Sequence, residues 1–376
     1  MKDFDPSRYG FAVAAFVLAL SGCSSSQSPM ASSALPQGGA AAQQFGATPA
    51  CGGSRIGQAQ CDVLIENKGA RPNYNGWSAS QLEQAYNLPS SSGGNGQTVA
   101  IVDAYDNPDV VSDFAKYRSG MGLPPGTLNK YNQSGQMSNY PQGSPNWGVE
   151  IDLDVDMVSA SCPNCTVNLI EANSNAWSDL EAAEQEAVKL GATIVSNSYD
   201  GSGGNEFNYD TPGVTYLASA GDSGLGLYDP ATFDSVVAVG GTILSISSGS
   251  RGYSESLWGS SGGGCSSTGE KKPKWQLKSK WAKNCSGRMG NDVSAVAVNA
   301  AEYDTYSAGG WITVDGTSIS SPFCAGVFAL AGNSTKQDGG RTFWKPKKHQ
   351  KHLYEVGGAR FTDQGGFGTP DGTGAF

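Results

Sequence analysis

Residues 316–330 read Gly-Thr-Ser-Ile-Ser-Ser-Pro-Phe-Cys-Ala-Gly-Val-Phe-Ala-Leu, a hydroxyl-rich turn running into an apolar stretch. Ser320–Leu330 has the character of a buried helix, with Pro322 in the first turn, where proline is tolerated. Gly316-Thr317-Ser318 then heads that helix, where a hydroxyl can face a cleft and the helix dipole favours developing negative charge. Outward from this stretch, strand-like and helix-like segments alternate. Gln97–Ala104, Thr166–Ala172, Thr193–Ser198, Val214–Ser219 and Val236–Val239 read as apolar strands. Val110–Ser119 reads as a short helix, and Ser178–Leu190 as an amphipathic helix capped by Ser178 with Gly191 just past its end. Such alternation predicts an α/β fold: a mostly parallel central sheet with helices on both faces.

The composition narrows the function. Of 376 residues, 38% are hydrophobic and 15% charged, as in a globular protein, and 52 are Gly, which implies many tight turns. The formal net charge of −10 opposes contact with phosphate backbones, so no nucleic-acid partner is expected. Only two His are present, His349 and His352, both after Ser318.

Residues 9–20 form an apolar run too short to span a bilayer as a permanent helix, followed by Leu20-Ser21-Gly22-Cys23. This pattern resembles the lipobox of bacterial lipoproteins, which implies a signal peptide over 1–22, cleavage before Cys23 and lipid on its sulfur. An ordinary secretory peptide is the alternative reading. Either way the chain is expected outside the cytoplasm, in the cell envelope or secreted, with a membrane partner only through the lipid. Residues 24–50 are small and polar and cannot bury a core. We assign 23–60 to a flexible tether and 61–376 to the folded domain. The spacing of the eight Cys, in that compartment, suggests disulfides 51–61, 162–165 and 265–285, with Cys324 a buried thiol. Lys-rich residues 271–283 then form a solvated loop closed by the last of these bridges.

Three segments carry candidate chemistry. Trp147-Gly-Val-Glu150-Ile-Asp-Leu-Asp154-Val-Asp-Met-Val has apolar residues at 149, 151, 153, 155 and 157. That alternation favours a strand, whereas on a helix Glu150 and Asp154 would share a face and could share a proton. Ala218-Ser-Ala-Gly-Asp222-Ser-Gly follows a strand and presents one carboxyl at the sheet's carboxyl edge, where α/β folds place ligands. The third is Ser318 itself. Asp103, in Val-Ala-Ile-Val-Asp, invites assignment as the Asp of an Asp-His-Ser series, but no His lies between residues 103 and 318. Another group must take the proton from Ser318.

In this order, Glu150-x-x-x-Asp154, Ser-Ala-Gly-Asp222-Ser-Gly and Gly-Thr-Ser318 resemble the sedolisin family, the serine-carboxyl peptidases. Trp77-Ser-Ala-Ser-Gln-Leu, residues 236–242 (VVAVGGT), Glu255-Ser-Leu-Trp258, Gly262-Gly-Gly-Cys265 and Asn291-Asp-Val-Ser-Ala-Val extend the resemblance from about residue 77 to 335. It implies a subtilisin-like fold and an acid-active endopeptidase acting on protein or peptide substrates. Ser318 would be the nucleophile, Glu150 the base, Asp154 its partner and Asp222 the oxyanion-hole residue. It also implies that residues 150–154 lie on a helix, against the alternation. Ser196-Asn-Ser198-Tyr199 corresponds to the family's substrate-binding strand, with Tyr199 and Asp200 where Trp-Gly is usual. The resemblance further implies calcium, yet the family's C-terminal ligand loop is not recognisable, and Asp363 is the carboxylate left near that place. That shortened region gives a second reading: a surface lipoprotein keeping the fold as a binding module without catalysis.

Overall fold

The computed structural model describes residues 47–53, 56–66, 73–345 and 349–376. The signal peptide, Cys23 and most of the expected tether lie outside the described residues.

Three short strands open the described chain: β1 (Ala47–Pro49), β2 (Ala59–Cys61) and β3 (Leu64–Glu66). Helix α1 (Ala79–Ala85) follows, its N-terminus closed by a capping box between Ser78 and Gln81. Then come β4 (Thr98–Ala104), α2 (Val110–Gly120), β5 (Thr127–Asn132), α3 (Pro145–Ser161), β6 (Thr166–Ala172) and α4 (Trp177–Lys189). The chain continues through β7 (Ile194–Asn197), β8 (Tyr199–Gly201), β9 (Thr215–Ser219), β10 (Val236–Ile246) and β11 (Tyr253–Leu257). Last of the elements needed here are β12 (Val293–Val296), β13 (Ala300–Asp304), β14 (Gly310–Asp315) and α5 (Thr317–Ala331).

The central sheet has eight strands in the order β11-β10-β9-β7-β4-β6-β5, with β12 also paired to β10. Every pairing is parallel except that of the edge strand β11 with β10. All of β4 beyond Thr98 is buried, as a strand covered on both faces must be. A second sheet, β1-β3-β14-β13, leads directly into α5.

Four expectations need correction. Helix α3 takes the stretch that alternation alone favoured as a strand, as the family resemblance implied. It starts with Pro145 at its head, and every residue from Trp147 to Ser161 is buried. A helix enclosed on all sides has no solvent face, so its apolar positions need not follow a 3.6-residue period. Helix α5 begins at Thr317, three residues earlier than expected, so Pro322 lies in the helix interior and supplies no N–H to the Ser318 carbonyl one turn back. Helix α4 is preceded by Ala176, not capped by Ser178. The expected tether also ends earlier. Residues 47–60 already contain β1 and β2, because β1 pairs with β3, β2 pairs with β8, and a disulfide ties Cys51 to Cys61. The bridges Cys162–Cys165 and Cys265–Cys285 form as expected, and Cys324 is buried and unpaired.

Candidate active site

Ser318 is the second residue of α5, and Gly316 stands at that helix's N-terminus with φ 146°. Strand β14 delivers the chain to this turn, and α5 packs on α3 and on strands β7, β9, β10 and β12. The position of Ser318 is therefore set by the core. Glu150 and Asp154, one turn apart on α3, face it across the helix–helix contact. Asp222 follows β9 at the carboxyl edge of the sheet. The fold thus brings Glu150, Asp154, Asp222, Ser198 and Ser318 together, and all five are buried.

Each group has a distinct setting. Asp154 Oδ1 accepts from Ser198 Oγ at 2.7 Å. Ser318 Oγ donates to the Ser198 carbonyl at 3.5 Å, while neither oxygen of Glu150 has a hydrogen-bond partner. Burial, then Asp154 and Asp103, push the Glu150 carboxyl well above its ordinary range, and the nearby Ser318 hydroxyl draws it back. Burial and Asp103 raise Asp154 in the same way. A pair of this kind holds a proton at pH values where exposed carboxylates have lost theirs.

Asp222 Oδ1 accepts from Thr317 N at 2.8 Å and Thr317 Oγ1 at 2.9 Å, and that hydroxyl also accepts from Gly221 N at 3.1 Å. Asp222 Oδ2 is buried with no partner. Burial raises this carboxyl well above its usual value despite the Thr317 bonds. The free oxygen therefore carries a proton in acid and can donate it.

Tyr199 contributes backbone to the cleft through β8, where it pairs with Cys61. Its ring turns into the core between Trp147 and Trp177, and its hydroxyl donates to Asn197 Oδ1 at 2.7 Å. Both His lie far along the chain in the C-terminal region, where His349 Nδ1 contacts the Ala375 carbonyl at 2.9 Å.

Sequence reasoning set aside one member of the cluster, Asp103, for want of a His, and missed a second, Asp62. Asp103, at the end of β4, is fully buried with both oxygens unpartnered, and burial lifts it to about 8. Asp62 sits in the segment between β2 and β3, which crosses the cleft over Ser318. It was hidden because short strands in a polar N-terminal region carry no period. The Cys51–Cys61 spacing was the available signal that this region is ordered.

The implied calcium does not fit the C-terminal region. The Asp363 side chain is exposed, and what that residue offers inward is its carbonyl, which accepts from Asn291 N at 3.2 Å. Among the described residues, the carboxylates near enough to share one cation are Asp113, Asp152 and Asp304, buried in another part of the domain. A surface pocket lined by Trp275, Trp281 and Trp344 also lies elsewhere.

A serine at the head of a buried helix, facing buried carboxyls beside a mostly parallel sheet, belongs to a subtilisin-like fold. A model of the subtilase family matches residues 154–356. Kumamolisin from Bacillus sp. (strain MN-32) is 30% identical over 284 residues, which is 66% of this chain and 50% of kumamolisin. Sedolisin from Pseudomonas sp. (strain 101) is 23% identical over 292 residues, 68% of this chain and 50% of sedolisin. The chain thus spans about half the length of each relative. Among solved structures, Pseudomonas sedolisin, a serine-carboxyl proteinase complexed with two molecules of pseudo-iodotyrostatin, has a TM-score of 0.66 at 22% identity and covers 80% of this chain and 96% of that one. Fervidolysin from Fervidobacterium pennivorans, a keratinolytic enzyme related to subtilisin, has a TM-score of 0.50 at 14% identity, covering 78% of this chain and 43% of its own. The chain belongs to the subtilase family and is similar to kumamolisin and sedolisin.

Proposed function

We propose that this chain is an acid-active serine-carboxyl endopeptidase. The observation that carries the reading is the unpartnered, buried Asp222 Oδ2, which lies against Gly316 close to the Asp62 carbonyl that accepts from Ser318 N at 3.3 Å. Ser318 attacks a peptide carbonyl and Glu150 takes the hydroxyl proton, the pair's remaining proton resting on Asp154. The oxyanion is received by the Ser318 N–H and the protonated Asp222. Ionised, Asp222 would repel the charge it faces, so activity falls as the pH rises and Asp222 loses its proton. Water then hydrolyses the acyl-enzyme. Ser198 and the β8 backbone form a strand edge, paired here with β2, of the kind on which a peptide aligns.

Three disulfides fit an oxidising compartment outside the cytoplasm. We assign Cys23 as the lipid attachment point, and among the described residues no helix is long and apolar enough to cross a membrane. Digestion of casein in acid by wild type and Ser318→Ala tests the reading. Clearing by wild type alone is expected. Equal clearing by both proteins would rule out Ser318 as the nucleophile.

A further inference from the structure

The far face of α3, turned away from Ser318, is built as a cage of oxygens. Asp152 and Asp156 stand one turn apart on it, and Glu302 and Asp304, two apart on β13, point to one side of their strand. Asp113 joins them from α2. Oxygens of Asp113, Asp152 and Asp304 lie within 4.8 Å of one another. Protein donors hold these carboxyls in place: Asn107 Nδ2 donates to Asp152 Oδ2 at 2.7 Å, Ser307 N to Asp304 Oδ1 at 2.7 Å, and Thr305 N and Oγ1 to Asp113, each at 2.8 Å. Asp152 Oδ1, Asp156 Oδ1 and Asp304 Oδ2 are left buried with no partner. Two further side chains point at the same space. Glu302 is fully buried, neither of its oxygens has a partner, and the charges acting on it are those of Asp304, Asp152, Asp156 and Asp113. The Tyr117 hydroxyl is also buried and unpartnered, with Asp156 and Glu302 among its charged neighbours. Among the described residues no Lys or Arg forms an ion pair with any of the five carboxyls. Arg118, near Asp156, spends its N–H groups on the Pro124 and Pro163 carbonyls and on Ser159 Oγ. Negative charge buried without a counter-charge is costly. With no metal ion such groups keep protons, and a bound cation takes the protons' place.

We propose that Asp113, Asp152 and Asp304 hold one calcium ion, with Asp156 and Glu302 supplying further negative charge around it, and that the ion clamps α2 and β13 onto the back of α3. The donor set is all oxygen, which selects a hard cation. Calcium takes roughly six to eight oxygens at about 2.4 Å in flexible geometry, so ligands on opposite sides stand about 5 Å apart. Magnesium demands an octahedron at about 2.0 Å and holds on to several waters, a poorer match to a cage of buried carboxyls. Thr305, bonded to Asp113 and next to Asp304, is exposed, so an ion reaches the site from the surface. The place is separate from the C-terminal region, where the resemblance implies calcium and the residues do not fit it. The proposal stands without the peptidase reading, since neither Glu150 nor Ser318 takes part.

The test uses the full chain, stripped with a chelator and dialysed into metal-free buffer at neutral pH. Calorimetric titration with calcium chloride should show one ion bound per chain. Calcium at about 100 times its Kd should raise the melting temperature by about 5–10 °C. Asp152→Asn should lose that rise. Glu302→Gln keeps its shape and in metal-free buffer should melt at or above wild type, yet bind calcium at least about tenfold more weakly. It decides the matter if Asp152→Asn does not fold. Asp363→Asn should bind calcium as wild type does. No binding by wild type, an unchanged affinity in Glu302→Gln, loss of binding in Asp363→Asn, or an equal rise with magnesium chloride would each overturn the proposal.

Discussion

Helix α3 presents two carboxylate faces, and they have different fates. Glu150 and Asp154 look toward Ser318. Asp152 and Asp156, two residues on in each case, look the other way, toward α2 and β13. There Asp152 Oδ2 accepts from Asn107 Nδ2 at 2.7 Å and Asp156 Oδ2 from Tyr303 N at 3.1 Å. Asp113, Glu302 and Asp304 complete this second cluster, and burial followed by mutual repulsion raises Asp152 and Glu302 well above the usual carboxylate range. Both faces thus hold buried carboxyls that keep their protons. Only one has a serine hydroxyl, a bare Gly316 and a helix N-terminus opposite it. Proton-holding carboxyls are therefore not enough to make a catalytic centre. What they face decides whether the proton has anywhere useful to go.

The largest test of that contrast is on the catalytic face. Ser318→Ala should lower kcat by on the order of 10⁴-fold or more, and Glu150→Gln by about 10²–10⁴-fold. Asp222→Ala should cost about 10²–10³-fold, the usual cost of losing an oxyanion donor. These are measured with a peptide substrate in acid, each variant first shown to melt normally. Retention of full activity by Glu150→Gln would abolish the distinction between the faces.

A broader effect follows from both clusters together. Carboxyls whose folded value is raised bind more protons folded than unfolded, so their contribution to stability is complete below about pH 4 and is lost as pH rises. Asp200 and Asp103 release their protons at about 7 and about 8, and Glu171 at about 9. The melting temperature should therefore fall steadily between about pH 4 and these values. Calorimetry across that range checks it, and a flat or rising profile would contradict the burial argument.

The smallest expected effect sharpens the comparison from the opposite face. Neither oxygen of Glu302 has a hydrogen-bond partner. Glu302→Gln removes the charge without changing shape, so it should raise the melting temperature by a few degrees near neutral pH. In strong acid, where the carboxyl is already neutral, it should change nothing. A kcat unaltered in acid would confirm that this face takes no part in the chemistry.

Much of this arrangement was legible in the sequence, and its gaps have physical causes. Thr166–Ala172 was read to the residue because both ends change character abruptly, and the close Cys spacings named all three bridges. Helix α3 was not legible from periodicity, since total burial erases the pattern that distinguishes strand from helix. The motif with Asp222 and Ser318 overruled it correctly. The start of α5 was misplaced because the hydroxyl residues Thr317 and Ser318, after Gly316, look like a turn, yet both are buried within the helix. The Asp113–Glu302–Asp304 cluster joins residues nearly two hundred positions apart, and no local pattern announces it.

Cys324 gives the molecule a built-in clock. Its thiol lies on α5 with no exposure, and it is the free cysteine among the described residues. An alkylating reagent can reach it only when α5 leaves its packing in the core. The modification rate, read by peptide mapping so that Cys23 is counted separately, therefore reports how often the whole domain opens. It needs no substrate and no knowledge of what the protein cuts.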